Sequence, residues 1–275
     1  MEENLLSFNK TGIINVISNN NDASKNTASL LINKLTAKGF YVPSNYNSNA
    51  ELNICIGGDG AFLRTVHRYR FPSIPFVGIN TGHLGFFQEI LPENIDGFIE
   101  RYVKGDYTIE NIFLVRANVY TRDRYFQILG VNEIVIKGIK SKVVHLEVFI
   151  DDNHLEKFSG DGIIISTPVG STGYNFSSGG SIIYPSLKAL QITPLSPISS
   201  RVYRSLLNST IIPGDIPITI EPEYRYENSI LVVVDGMELK YDNISKINFA
   251  IAEKTISRLN FDKNMYWNNL KSKFL

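Results

Sequence analysis

The hydrophobic pattern along the 275 residues changes character once, near Gly105. Before that point short apolar runs alternate with helical spacing. Gly12 to Ser18 is a β-like run. From Ser24 onward Ala28, Leu31, Ile32 and Leu35 share one helical face, and Gly39 stands where a helix C-terminus takes glycine. Leu52 to Ile56 predicts the next strand, and Phe62, Leu63 and Val66 continue a helical face up to the Phe71-Pro72 break. Pro75 to Ile79 predicts a third strand, and Ile95, Phe98, Ile99, Tyr102 and Val103 follow helical spacing again. Strands alternating with helices predict a parallel sheet covered by helices, a Rossmann-like α/β domain over residues 1–104.

Beyond Gly105 the period becomes two. Val115, Ala117 and Val119 share a side, as do Val144, Leu146, Val148 and Ile150, which run into the turn Asp151-Asp152-Asn153. Ile216, Ile218 and Ile220 repeat the pattern, and Pro217 predicts that this strand lies at a sheet edge. Ile230 to Val234 is a continuous apolar strand. Residues 105–252 therefore predict a β-rich, sandwich-like domain. Trp267, Leu270 and Phe274, at helical spacing, predict a short helix within residues 253–275 that returns to the first domain. No hydrophilic linker separates the halves, so close packing with a cleft between them is expected.

Composition narrows the function classes. Lys+Arg and Asp+Glu both number 27, which gives no net basicity to draw nucleic acid or an anionic membrane. The only cysteine, Cys55, sits in an apolar run and reads as a buried small hydrophobe. His67, His83, His145 and His154 lack metal-ligand spacing, so no metal site held by the protein alone is expected. The start Met1-Glu2-Glu3-Asn4 lacks the basic region of a signal peptide, and no apolar run approaches membrane-spanning length. A cytoplasmic protein is expected.

Three stretches carry chemistry. In the first, the apolar run Ile54-Cys55-Ile56 stops at Gly57-Gly58-Asp59-Gly60, and a helical pattern follows. A strand, a glycine turn and a helix N-terminus in that order let backbone N–H groups meet phosphate oxygens. Asp59 is the side chain with chemistry there, although an aspartate in such a turn is often an N-cap. Arg64, one turn on, is either a phosphate partner or a solvated helix-surface arginine. In the second, a buried strand leads into Ser166-Thr167-Pro168-Val169-Gly170-Ser171-Thr172-Gly173-Tyr174, where glycines free the backbone and hydroxyls offer donors and acceptors. Tyr174 adds a flat stacking face. That equipment suits a nucleoside, and a plain turn cluster has the same composition. The third is Asn132-Glu133: an amide suits an adenine edge and a carboxylate suits ribose hydroxyls, although as a dipeptide it also reads as a surface turn.

Gly57-Gly58-Asp59-Gly60, the run from Asn80 to Phe86, Asn132-Glu133 and the loop from Asp161 to Tyr174, in this order and spacing, resemble the bacterial NAD kinase family. The likeness runs from about Gly12 to about Phe261. It implies an N-terminal α/β domain plus a sandwich-like C-terminal domain, assembled as homodimers or homotetramers. It also implies ATP-dependent phosphorylation of the 2′-hydroxyl on the adenosine ribose of NAD, giving NADP. A divalent ion, Mg²⁺ or Mn²⁺, would accompany ATP, and no tightly bound prosthetic group is implied.

By the same resemblance Asp59 is the catalytic carboxylate beside the reacting hydroxyl, and Asp59 and Gly60 also match NAD-binding positions. Gly57, Gly58 and Gly60, with Arg64, match the phosphate site. Phe86, Asn132 and Thr172 match positions that hold adenine, and Glu133 one that holds ribose. Asp161 and Tyr174 match the nicotinamide half, and Gly173 and Ser177 accompany them in the NAD-binding loop. Ser196 and Ile198 match a segment that a neighbouring subunit also contributes, as Asp161 itself is. The chain departs from the commonest family pattern with Ala61 in place of Thr, Gly173 in place of Ala, Met237 in place of Gln, and Ser159 in place of a basic residue. Two other readings share the glycine turn or the nucleotide site: a diacylglycerol-type lipid kinase, and a non-catalytic NADP(H)-binding sensor.

Overall fold

The computed structural model describes residues 11–83, 85–199, 204–223 and 229–275. The Met1-Glu2-Glu3-Asn4 start and Leu84, inside the second glycine-rich turn, lie outside them. Two compact units emerge, one of residues up to Asn111 with Ile256–Leu275, the other Ile112–Thr255.

In the first unit β1 (Ile14–Ser18), β2 (Leu52–Gly57) and β3 (Phe76–Asn80) pair in parallel in that order. Helices α1 (Asp22–Ala37), α2 (Asp59–Arg68) and α3 (Ile95–Lys104) connect and cover them. The Asn21 side chain caps α1 by accepting the Ser24 N–H. Gly105 ends α3 in the left-handed conformation that the C-terminal cap favours. Ile14, Leu31, Leu35, Leu52, Ile54, Ile56, Ile79, Phe98 and Ile99 form one apolar core. Val103, placed on the buried face of α3 by its spacing, is half exposed; the face turns at Tyr102, one residue earlier.

The second unit is built from strands. β4 (Thr108–Thr121) enters it and pairs antiparallel with β5 (Tyr125–Gly130). Next come β6 (Glu133–Gly138), β7 (Val144–Ile150), β8 (Asn153–Gly160) and β9 (Gly162–Ser166). After the single-turn helix α4 (Tyr174–Ser177) come β10 (Ala189–Leu195), β11 (Thr210–Pro213), β12 (Ile218–Pro222), β13 (Ile230–Val234), β14 (Met237–Leu239) and β15 (Ile244–Asn260). One antiparallel sheet runs β11-β10-β9-β6-β13-β14. A second set pairs β8 with β7, β7 with β12, and β12 with the first half of β15. Val115, Ala117 and Val119 join the inward residues of both sets in one core, so the period-two pattern marked the buried faces. Asp151 and Asp152 both have positive φ, the backbone that a tight β7–β8 hairpin needs.

One expectation is corrected here. β12 is flanked on both sides by β7 and β15, and so is not an edge strand. Pro217 precedes its first residue, where no ladder N–H is required, and its carbonyl accepts the Asp151 N–H. The last helix, α5 (Met265–Phe274), packs on the first unit as expected; Met265 and Asn269 are its buried residues, Phe274 stacks on Phe86, and Trp267 is half exposed. Among the described residues no helix is long and apolar enough to cross a membrane.

Candidate functional site

The glycine turn stands at the carboxyl end of β2, where parallel α/β sheets place ligands. Gly58 is the N-cap of α2 with extended backbone, and no side chain caps the helix. The first helical bonds run from the Ala61 and Phe62 N–H to the Gly58 carbonyl. That leaves the N–H groups of Asp59 and Gly60 in the unpaired first turn, where the helix dipole favours an anion. Arg64 projects over this turn: its guanidinium lies 3.5 Å from Asn19 Oδ1 and against the position a Cβ on Gly60 would take. It is exposed and takes part in no ion pair among the described residues.

Asp59 is not an N-cap. It is the first residue of α2, and its carboxylate turns away from the helix N–H groups toward residues 85–87. Oδ2 accepts the Phe86 N–H at 2.9 Å and Oδ1 accepts the Phe87 N–H at 3.0 Å. Gly85 makes this approach possible, because a Cβ there would overlap the carboxylate. Each carboxylate oxygen carries two lone pairs, so both keep acceptor capacity after these bonds. The stretch begins at Asn80, whose side chain accepts the Gly82 N–H and donates to the His83 carbonyl. The Phe86 ring is almost buried. It stacks 6.2 Å from Phe274 and lies 6.0 Å from Tyr266, with the Lys273 ammonium 5.0 Å above it.

In the second unit Asn132-Glu133 is no surface turn. Glu133 is the first residue of β6, is buried, and pairs with Ser166 of β9. One carboxylate, Asp235, collects the backbone here: Oδ2 accepts the Val131 N–H, and Oδ1 accepts those of Asn132 and Glu133. The Thr167 hydroxyl donates to the Val131 carbonyl, and the Thr167 N–H donates to the Asn132 carbonyl. Gly170 packs against that same carbonyl so tightly that a Cβ would overlap it. The loop is thus fixed from two sides while its side chains are not consumed. Asn132 Oδ1 and Glu133 Oε2 are both buried without a hydrogen-bond partner among the described residues. Their side chains meet at Gly173: a Cβ there would sit 3.5 Å from Glu133 Oε2 and 3.8 Å from Asn132 Nδ2. Burial, and then the nearby Asp235 charge, push the Glu133 carboxyl up to about 8.

The loop after β9 divides its hydroxyls between framework and surface. Ser171 is fully buried; its hydroxyl donates to the Pro168 carbonyl and accepts the Ile183 N–H, so it is not offered to a ligand. Thr172 is nearly buried, and its hydroxyl donates to the Val169 carbonyl. Asn175 braces the loop by donating to the Ser171 and Ser181 carbonyls and accepting the Thr193 hydroxyl. Tyr174 and Ser177, the ends of α4, are exposed, and so are Asp161, Ser196 and Ile198. Asp161 and Ile198 are joined to one region of backbone: the Asp161 N–H donates to the Leu195 carbonyl and the Ile198 N–H to the Ser159 carbonyl. Ser159 is itself buried, its hydroxyl 2.8 Å from His145 Nδ1. Asp235 was missed as a functional residue in the sequence. The signal available was the Asp235-Gly236 turn that follows the apolar strand Ile230–Val234. Cys55 is fully buried, and burial pushes its thiol up to about 12.

Comparison with known proteins bears on the family of the chain. Residues 14–107 match the ATP-NAD kinase N-terminal domain, and residues 131–254 match the ATP-NAD kinase C-terminal domain. The chain is 48% identical over 271 residues to the NAD kinase of Finegoldia magna, covering 97% of this chain and 99% of that protein. It is 32% identical over 266 residues to the NAD kinase of Lactobacillus helveticus, covering 95% and 96%. Among solved structures, yeast NADH kinase in complex with NADH shares the fold with a TM-score of 0.84 at 18% identity, covering 95% of this chain and 86% of that one. An NAD kinase from Archaeoglobus fulgidus in complex with ATP does so with a TM-score of 0.78 at 22% identity, covering 94% and 99%. The chain belongs to the NAD kinase family.

Proposed function

We propose that this chain transfers the terminal phosphoryl group of ATP to the 2′-hydroxyl on the adenosine ribose of NAD, giving NADP. The observation that carries the reading is the pair of unpartnered buried oxygens, Asn132 Oδ1 and Glu133 Oε2. Buried acceptors without donors are costly, so a site that keeps two of them is built for a ligand that brings donors. An adenine amino group meets the amide, and a ribose hydroxyl meets the carboxylate. Phe86 and Thr172 belong to the adenine side. Gly173, Tyr174 and Ser177 belong to the rest of the dinucleotide, with the Tyr174 ring available to stack.

Phosphoryl transfer asks the protein chiefly for alignment and charge neutralisation. The N–H groups at the start of α2, with Gly57, Gly58, Gly60 and the Arg64 guanidinium, hold the phosphates of ATP. Asp59, its carboxylate fixed by two backbone N–H groups, accepts the hydrogen of the attacking hydroxyl on a remaining lone pair. A Mg²⁺ or Mn²⁺ ion accompanying ATP would supply neutralisation of the phosphate charge. The protein acts in the cytoplasm as a homodimer or homotetramer. Asp161, Ser196 and Ile198, all exposed, complete the site of a neighbouring copy.

Incubating the purified protein with NAD, ATP and Mg²⁺ tests the reading, with NADP detected by a dehydrogenase specific for it. NADP formation that needs both substrates, with one ADP released per NADP, is expected. ATP consumption with diacylglycerol but not with NAD would contradict it.

A further inference from the structure

Asp59 is held by two peptide groups, and each is itself clamped from behind. The peptide between Gly85 and Phe86 gives its N–H to Asp59 Oδ2, and its carbonyl accepts Asn269 Nδ2 at 2.8 Å. The next peptide, between Phe86 and Phe87, gives its N–H to Asp59 Oδ1, and its carbonyl accepts Arg258 Nη1 at 2.6 Å. Both clamps come from the far end of the chain, Arg258 from β15 and Asn269 from α5. Both are buried. Arg258 is fixed in turn, its Nε 2.7 Å from Glu110 Oε2. Asn269 is the polar residue on the buried face of a helix whose Trp267 is exposed, an arrangement that apolar packing alone does not call for. A donor on a carbonyl polarises its peptide and strengthens the bond made by the N–H of the same unit. A planar peptide held at its oxygen also has one orientation in which to present that N–H.

We infer that Arg258 and Asn269 are positioning residues for Asp59, acting through the two peptide groups at residues 85–87 to fix where its carboxylate meets the acceptor hydroxyl. The inference rests on the reading of Asp59 given above. Arg258 serves two partners at once with one rigid fork, Glu110 on Nε and the Phe86 carbonyl on Nη1, which a lysine ammonium cannot reproduce. Asn269→Leu keeps the branched shape of the side chain and removes its amide.

The test is a cycle of variants followed by kcat and KM, with thermal melting to establish that each is folded. Asn269→Leu and Arg258→Lys are made in the native chain and in the Asp59→Asn chain. Loosened alignment is expected to lower kcat by about tenfold to a hundredfold for Asn269→Leu. KM for NAD and ATP should move by less than about twofold, and Arg258→Lys should lie in between. In the Asp59→Asn background the same substitutions are expected to cost less than about twofold more, because residues that act through one group are not additive. A folded Asn269→Leu variant with native kcat would overturn the inference, as would equal losses in both backgrounds. If Asp59→Asn alone kept native turnover, the reading of Asp59 would fail and the inference with it.

Discussion

Glu133 is a carboxyl group whose charged form the ligand-free protein disfavours. Its acid is pushed up to about 8 from an ordinary value of 4.5, by burial first and the Asp235 charge second. A folded-state value above the unfolded one means that the folded chain holds a proton the unfolded chain has released. The contribution to stability is therefore full below about pH 4.5 and is lost as the pH rises toward about 8. Glu133→Gln carries no such proton. The melting temperature of the ligand-free native protein should fall across that interval relative to this variant. Above it the variant should melt higher, by roughly 2–4 °C for each kcal/mol regained. Parallel melting curves across the whole range would remove the charge from the account. Of the residues at this site Asn132-Glu133 was visible in the sequence, but its burial was not, because two residues carry no periodicity. Asp235 was invisible for a similar reason. It is a hundred residues away, and only the fold brings it to the three N–H groups it accepts.

At the scale of elements, the stretch 131–133, leading from β5 into β6, gives all three of its N–H groups to that one carboxylate. Asp235→Ala leaves three consecutive N–H groups without their acceptor, and an unsatisfied buried donor costs about 1–3 kcal/mol. Urea unfolding should show a loss of at least that size, with KM for NAD raised because the Asn132 and Glu133 side chains are no longer aimed. A variant with native stability and native KM would mean that the loop is held by Thr167 and Gly170 alone. Most elements were legible because their periods are long and clean: β4, β7 and β9 by their apolar positions, α1 and α3 by their apolar faces. The misplacement fell where one residue outweighed a pattern. Pro217 suggested an edge, yet it only precedes β12, and β12 is central. Trp267, Leu270 and Phe274 announced α5, but its buried positions are Met265 and Asn269, and a polar residue such as Asn269 does not register in an apolar pattern.

For the whole molecule, the glycine turn specified a kind of site, and the distant segments specified the ligand. Cys55 reports on the unit that carries the turn. Its thiol is fully buried in β2 and pushed up to about 12, so a thiol reagent should not modify the native protein at neutral pH. One equivalent should react after denaturation, and rapid modification of the native chain would place β2 at the surface. The central claim, however, is chemical: the fixed carboxylate of Asp59 acts on a ribose hydroxyl of NAD. Its most direct test is the rate of NADP formation by Asp59→Asn at saturating NAD, ATP and Mg²⁺, beside NAD affinity measured by calorimetry. The account expects turnover to fall on the order of 10²–10⁴-fold while NAD binds as before. Near-native turnover with unchanged binding would contradict it.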